Sequence, residues 1–466
     1  MVDVALPPVP GPVHFVGIGG AGMSGLARLL LQAGYRVTGS DRADSPALAD
    51  LRMAGATVFL GHDAARVGNA ALVVITAAVG EANVEVAAAR ARGIPVVKRA
   101  ALLGLLANPH RLIAVAGTHG KSTTSGMIAL ALSRLGAKPW YAVGATVRGL
   151  GESAAAGEGE IGVVEADEYD YSFLHLAPTV AVVLNLEHDH PDLFPDMATY
   201  ADAFAQFARR VMPGGLLLVN ADDLACQALA AQHCDAGGRV ERVGVAASAD
   251  WRIVTVTDGA TGGATLRHGN TTVGPLTLQV PGEHNLRNAA MAVTAMAAVG
   301  VDAAAALSVV GEYTGVGRRF EVVGEARGVT VVDDYAHHPT EVRATIAAAR
   351  GRYPGRRIVA VFQPHTFTRT RLYAAQFGAA LDTADVACVS DIYPAREPDP
   401  GDIHATDVVK AIPDGRGQYT DGMMETLMYV QSVVQSGDVV LVMGAGTITA
   451  IGPALLTALR NTETAQ

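Results

Sequence analysis

The stretch Ile113 to Met127 reads I-A-V-A-G-T-H-G-K-S-T-T-S-G-M, and the rest of the chain is organised around it. An apolar β-type run, Leu112 to Ala116, ends at Gly117. The loop Thr118-His119-Gly120 follows, and Lys121, Ser122 and Thr123 open a helix that continues through Met127, Ile128, Leu130 and Leu135. A strand, a glycine loop and a helix start form a phosphate site, because the first N–H groups of a helix lack partners within it and carry positive dipole character. Lys121 has the length to reach the outer phosphates, and the Ser122 hydroxyl suits Mg²⁺. Val115 stands where the G-x-x-x-x-G-K-[ST] pattern has its first glycine, so a strict search passes over the loop.

At 466 residues the chain is too long for one ordinary domain, and half of it is apolar, enough for several cores. No apolar run reaches membrane length; Ala289 to Gly311 comes nearest and is interrupted by Asp302. The Pro-rich start, M-V-D-V-A-L-P-P-V-P-G-P, lacks the basic and apolar regions of a signal peptide. Cys226, Cys234 and Cys388 form no C-x-x-C pair and suit a reducing cytoplasm. A net charge of −10 argues against nucleic acid as a partner. Lysine occurs only at 98, 121, 138 and 410, which makes a lysine inside the phosphate loop stand out.

Upstream, Val13 to Ile18 is a short strand running into G-I-G-G-A-G-M-S-G, Gly17 to Gly25, and a helix through Leu26 to Leu31. Gly17, Gly19 and Gly22 match G-x-G-x-x-G, which lets a diphosphate approach a helix start. A second strand, Tyr35 to Gly39, ends at Ser40-Asp41, an acidic position suited to a ribose hydroxyl. NAD and a UDP-sugar both fit this pattern. Leu72 to Thr76 is a further strand, with Ala77-Ala78-Val79 beyond its carboxyl end. Asn83 either lines the same crevice or caps the helix Val84 to Arg92.

Downstream, Ile161 to Glu165 and Thr179 to Leu184 are strands that end in E-A-D-E-Y-D and N-L-E-H-D-H-P-D. Both acidic clusters should project from the sheet edge that carries the phosphate loop, where carboxylates would share Mg²⁺ with a triphosphate. Met197 to Val211 reads as an amphipathic helix, and Trp251 to Val280 as a β-hairpin or small antiparallel sheet with turns at Thr261-Gly262-Gly263 and His268-Gly269-Asn270. His284, Asn285 and Asn288 sit near the start of the next helix, suited to reading an adenine or, for Asn285, to capping. Beyond Gly317 four strands, Val329 to Asp333, Ile358 to Phe362, Val386 to Val389 and Val439 to Met443, each end in a polar or glycine loop. That pattern is a second doubly wound α/β domain. His337-His338 lack a third metal ligand at fitting spacing, and Arg369 and Arg371 suit an anion.

The expected architecture is therefore α/β in three domains: a Rossmann-like domain over 1–108, a central phosphate-loop ATPase-type domain with a small antiparallel sheet over 109–316, and a Rossmann-like domain over 317–466. A dehydrogenase has no use for Lys121-Ser122, and a motor ATPase none for the flanking domains. An ATP-driven ligase needs three sites: one for a nucleotide-tagged acid, one for ATP and one for an amine.

The chain resembles the Mur ligases over nearly its whole length. The motifs are G-I-G-G-A-G-M-S-G (from Gly17), G-T-H-G-K-S-T-T (Gly117), E-A-D-E-Y-D (Glu165), D-H-P-D (Asp189), G-E-H-N-L-R-N-A-A (Gly282), R-R-F-E (Arg318), D-D-Y-A-H-H-P-T-E (Asp333) and Q-P-H-T-F-T-R-T-R (Gln363). The resemblance implies that ATP phosphorylates the lactyl carboxylate of UDP-N-acetylmuramate and that the amine of an amino acid displaces the phosphate, in cytoplasmic peptidoglycan precursor synthesis. Met23-Ser24 favours L-alanine as that amino acid. By the family pattern Ser122, Glu165 and His190 surround Mg²⁺. Gly117, Thr118, His119, Gly120, Lys121, Ser122 and Thr123, with His284, Asn285, Asn288 and Arg319, serve ATP. Gly19, Gly20, Ala21, Gly22, Met23 and Ser24, with Ser40, Asp41, His62 and Thr76, serve the UDP-sugar. Tyr335, His338 and Arg369 lie near the amino acid, and Lys121, Glu165, His190, His338 and Arg369 carry the chemistry. The expected state is a monomer or weak homodimer with no nucleic-acid or membrane partner.

The chain departs from the family pattern at Ser122 for threonine, at Tyr169 in E-Y-D for E-S-D, and at Thr366 for the arginine after Q-P-H. It has no lysine between 138 and 410, so the carbamylated lysine of some relatives is absent from the central domain. The rival functions are a recycling ligase that attaches a murein tripeptide to the same nucleotide sugar, a regulatory protein that binds both nucleotides without joining anything, and an NAD oxidoreductase.

Overall fold

The computed structural model describes residues 5–76, 79–256 and 263–461. Ala77, Ala78 and the turn at Thr261-Gly262 lie outside them. The chain divides into two compact units. The first takes in Met1–Glu187, Met197–Thr277 and Arg287–Tyr313; the second takes in His188–Asp196, Leu278–Leu286 and Thr314–Gln466.

Two sheets build the first unit. Five parallel strands, Pro12–Val16, Arg36–Asp41, Thr57–Leu60, Leu72–Ile75 and Val96–Lys98, lie in the order 3-2-1-4-5. Chain order reverses at Pro12–Val16, and the G-x-G-x-x-G loop leaves from that strand's carboxyl end. This is where open α/β sheets bind ligands. Apolar side chains of two strands, Val16, Val73 and Ile75, pack with Val86 and Ala89 of the helix Val84–Ala91.

The second sheet has ten strands. Arg111–Ala116 lies between Ile161–Glu165 on one side and Val180–Val183 on the other, parallel to both. The register pairs Val115 with Glu165 and Ala116 with Val183, so Glu165 and the first residues of the second acidic run, Asn185 to Glu187, flank the phosphate loop, while His188 to Asp192 belong to the second unit. The strands Trp251–Val256, Gly263–His268 and Thr271–Leu276 are antiparallel as expected. They do not form a sheet of their own, because Trp251 and Arg252 pair with Val243 and Gly244 and extend the parallel sheet. The helix expected over Met197 to Val211 stops at Ala208. The phosphate-loop helix, Lys121–Arg134, is buried from Thr124 to Leu132, so most of it is core rather than surface.

The second unit has one six-stranded sheet in the order Glu321–Ala326, Val329–Asp334, Val439–Met443, Ile358–Phe362, Val386–Ser390 and Gly417–Thr420. The edge strand Glu321–Ala326 is antiparallel to Val329–Asp334, and the remaining pairs are parallel. Alternate residues serve opposite faces. Val332, Ile358, Ala360, Phe362 and Leu441 pack with the helices Pro339–Arg352 and Phe367–Leu381. Val331, Val359, Val361, Val440 and Val442 pack with Ile451–Asn461. Covering both faces is the condition under which strands read as continuous apolar runs. Among the described residues no helix is long and apolar enough to cross a membrane.

Candidate active site

In the first unit the loop Gly117–Gly120 is shaped by backbone conformations that L side chains rarely adopt: φ is +138° at Gly117 and +86° at Gly120. A Cβ on Gly120 would also stand 2.8 Å from Asn288 Oδ1. The neighbouring strand's loop pins this one. Asn185 Oδ1 accepts the His119 N–H at 2.8 Å and Asn185 Nδ2 donates to the His119 carbonyl at 3.1 Å. Thr118 Oγ1 donates to the Glu187 carbonyl and accepts the Glu187 N–H, both at 2.9 Å. His119 Nε2 lies 3.2 Å from Glu187 Oε2. The helix start thus faces outward with its loop fixed in advance.

Lys121 folds back over that loop. Its Nζ donates to the Gly117 carbonyl at 2.6 Å and to both oxygens of Glu168, at 2.8 and 3.1 Å. Glu168 is fully buried, and it also accepts from Tyr200 Oη at 3.2 Å. Burial would lower the lysine pKa, but the carboxylates of Glu168 and Asp167 outweigh it and hold the ammonium above its ordinary value. Glu165 points to a different task. Its Oε2 accepts the Gly144 N–H at 2.7 Å, and a Cβ on Gly144 would come within 2.5 Å of that oxygen.

Ser122 and Thr123 occupy the first helical turn, half-buried, beside Lys121. A cavity of 340 Å³ opens beside Glu165, lined by Gly22, Gly25, Arg99, Gly144, Ser153 and Asp167 among others. It joins the two sheets of the first unit. Gly22 leaves room for Arg99, whose Nη1 would lie 2.9 Å from a Cβ there, and Arg99 pairs with Asp167 at 3.6 Å.

The first glycine loop is held differently. The Ser40 carbonyl accepts the N–H of Gly17 at 2.8 Å and of Ile18 at 3.0 Å. Asp41 Oδ2 accepts the Gly19 N–H at 2.8 Å. The Asp41 carboxylate, read as a ribose contact, closes the loop in this structure. Gly20 precedes the helix Ala21–Gln32, and its carbonyl accepts the N–H groups of Met23 and Ser24. The Met23 side chain is buried in the core, which leaves its backbone for any ligand. Thr76 approaches Gly17, 3.5 Å from the Cβ position.

The second unit holds a separate polar group. Arg369 and Asp189 form a buried ion pair, with Nε at 3.0 Å and Nη2 at 2.5 Å from Oδ1. Burial alone would raise the Asp189 carboxyl; Arg369, His190 and His337 overcome that and hold it well below its usual range. Arg369 Nη1 meets His365 Nδ1 at 3.0 Å. The fork read as free for a substrate anion is therefore engaged along one edge by Asp189. His190 adopts φ +53°, with Nε2 3.8 Å from Asp189 Oδ2.

His338 caps the helix Pro339–Arg352, its Nδ1 accepting the Thr340 N–H at 3.4 Å, and stacks edge-on against Tyr373. The Tyr335 ring lies under both Arg318 and Arg319, and Arg319 pairs with Glu341 at 2.9 Å. Asn285 lies inside the helix Glu283–Ala298, and its Nδ2 donates to the Pro281 carbonyl at 2.6 Å, a contact that satisfies no helix N–H and so is not the cap the sequence offered; His284 precedes it in the first turn. Thr366, at φ +65°, caps the helix Phe367–Leu381 through its hydroxyl.

Sequence reasoning missed the roles of Glu168, Asn185 and Tyr200, and weighed His337 only as a metal ligand. Glu168 and Asn185 lie inside the acidic motifs, but nothing in a one-dimensional pattern says which carboxylate a lysine reaches. His337 donates through Nδ1 to the Tyr335 carbonyl at 2.9 Å, and burial pushes its pKa down to about 4.

An α/β fold with this glycine loop, an in-loop lysine and carboxylates from both neighbouring strands defines a class of protein that holds a phosphate chain at a helix start. Three family models match in succession: "Mur ligase family, catalytic domain" over residues 12–111, "Mur ligase middle domain" over 115–296, and "Mur ligase, glutamate ligase domain" over 318–446. The UDP-N-acetylmuramate–L-alanine ligase of Paenarthrobacter aurescens is 44% identical over 96% of this chain and 97% of its own. That of Mycolicibacterium gilvum is 44% identical over 98% of each. The solved UDP-N-acetylmuramate–alanine ligase of Thermotoga maritima superposes with a TM-score of 0.79 at 27% identity, covering 97% of this chain and 99% of that one. The chain belongs to the Mur ligase family.

Proposed function

We propose that this protein joins L-alanine to the lactyl carboxylate of UDP-N-acetylmuramate at the expense of ATP. The observation that carries the reading is identity of 44% across nearly the whole length of relatives with that named activity. A carboxylate is a poor acyl donor. Phosphorylation by ATP supplies a leaving group, the alanine amine attacks, and the products are an amide, ADP and phosphate. The recycling ligase, with a tripeptide in place of alanine, is the less favoured reading, since the curated relatives at 42–44% identity carry the alanine-ligase name.

In this reading Lys121 leaves Glu168 to neutralise the outer phosphates, and the loop Gly117–Thr123 holds them at the helix start. The glycine loop with Ser40, Asp41, His62 and Thr76 takes the UDP end of the acid, and the cavity beside Arg99 leads its sugar toward Glu165. Asn288 and Arg319, with His284 and Asn285, serve the adenosine. Tyr335, His338 and Arg369 shape the alanine pocket, Arg369 by holding Asp189 and His365. Ser122 and Glu165 offer hard oxygen donors of the kind Mg²⁺ takes, and Glu165 sits in a cradle that a Gly144 Cβ would fill; His190 is the third candidate. Bound there, Mg²⁺ would spread the charge of the transferring phosphoryl group. We place the enzyme in the cytoplasm, as a monomer or weak homodimer.

The test is ADP formation by the purified chain with each of UDP-N-acetylmuramate, L-alanine and Mg²⁺ omitted in turn. All three should be required. Phosphate release with a murein tripeptide and none with L-alanine would overturn the choice of amine.

A further inference from the structure

A carboxylate that none of these roles uses lies beneath the first glycine loop. Glu85 is fully buried, as are Ser40 and His14 around it. A buried carboxylate is costly unless donors surround it, and these do. Glu85 Oε2 accepts from the Ser40 hydroxyl and faces His62 Nδ1 at 3.2 Å. Oε1 accepts the Asp63 N–H at 3.2 Å, and His14 Nε2 stands 3.7 Å away. Burial raises the carboxyl, but His14, Ser40 and Asp63 overcome it and bring the pKa down to about 2.

The placement is unusual for a glutamate in a first helical turn, where the side chain is normally solvated. Asn83 caps the helix through the Glu85 N–H at 2.9 Å, and the Glu85 side chain turns inward. One carboxylate thereby ties together the strand end at Ser40, the loop at His62 and Asp63, and the helix start. Ser40 in turn holds the glycine loop through its carbonyl. His62 remains 17% exposed. With Nδ1 turned to Glu85 and to the Ser40 hydroxyl at 2.9 Å, the carboxylate favours the proton on that nitrogen and leaves Nε2 as the acceptor.

We propose that Glu85 is a positioning residue for the nucleotide end of the acid substrate: it locks the His62 ring and the Ser40 hydroxyl in the orientation that receives the uridine diphosphate. This rests on the ligase reading, which gives His62 and Ser40 to the UDP-sugar.

The test is calorimetric titration of UDP into the full-length protein as wild type, Glu85→Gln, His62→Asn and the double variant. Each single variant should weaken UDP about tenfold, with ADP affinity unchanged, and the double variant should lie within about twofold of the weaker single, because the two residues act in series. The ¹⁵N-histidine spectrum of Glu85→Gln should lose the fixed Nδ1–H signature of His62. Wild-type UDP affinity in either single variant, or effects that multiply in the double variant, would overturn the proposal. Should Glu85→Gln not fold, His62→Asn decides alone, since normal UDP binding in it removes the residue through which Glu85 acts. A wild-type protein that binds UDP but ligates nothing defeats the ligase reading and leaves these titrations valid. A competent ligase in which Glu85→Gln binds UDP normally defeats only this inference.

Discussion

The first unit contains two strand–glycine loop–helix turns, and they solve the same problem with different means. Both present a helix start at the carboxyl edge of a sheet. The loop at Gly117 carries its own cation, and a buried acid, Glu168, pairs with it. The loop at Gly17 has no basic residue within Gly17 to Gly25. It relies on backbone N–H groups tied down by Ser40 and Asp41, and borrows Arg99 from another helix. On the roles proposed for the two loops, the difference follows the task. A terminal phosphoryl group that is transferred needs charge that tracks it, whereas a diphosphate that is only held needs geometry.

Removing the cation is the strongest way to break that contrast. Lys121→Ala should lower the ligation rate by about 1,000-fold, read as phosphate release, with little change in UDP affinity. Next comes the acid under the other loop. Because the folded Glu85 titrates near 2 rather than at its ordinary 4.5, its contribution of about 3 kcal/mol is complete above the ordinary value. It drains away as pH falls from there toward 2. Urea unfolding at stepped pH should show this slope in the wild type and a flatter one in Glu85→Gln. Glu168→Gln should cost about 2 kcal/mol of stability in the same assay, the difference between a charged and a neutral hydrogen-bond partner for Lys121. The smallest effect should come from steric change alone. Gly22→Ala, which crowds Arg99, should raise the KM for UDP-N-acetylmuramate about tenfold while kcat stays near normal.

Much of this was legible in one dimension. The phosphate loop was readable because a strand, glycines and a lysine sit in sequence, so local pattern and three-dimensional role coincide. That Glu165 and the start of the second acidic run leave strands next to the loop followed from apolar runs read as neighbouring parallel strands, and the register at Val115–Glu165 and Ala116–Val183 agrees. What stayed hidden depends on pairing across distance. Lys121 and Glu168 are 47 positions apart, and Ser40 and Glu85 are 45 apart. The short strands Thr57–Leu60, Val96–Lys98 and Gly417–Thr420 carry too few residues to show a period and exist because a sheet edge accepts them. The hairpin region was read correctly as antiparallel, but its junction with the parallel sheet rests on two residue pairs that no periodicity announces.

The folded-back posture of Lys121 also bears on which anions could draw it out. An ammonium already satisfied by a carboxylate and a backbone carbonyl offers little to a stray sulfate or orthophosphate drifting past. Only a ligand that grips several points at once, as a nucleoside triphosphate does, gains enough to pry the side chain loose. The pairing of Lys121 with Glu168 is thus a filter that separates lone small anions from a chain of phosphates.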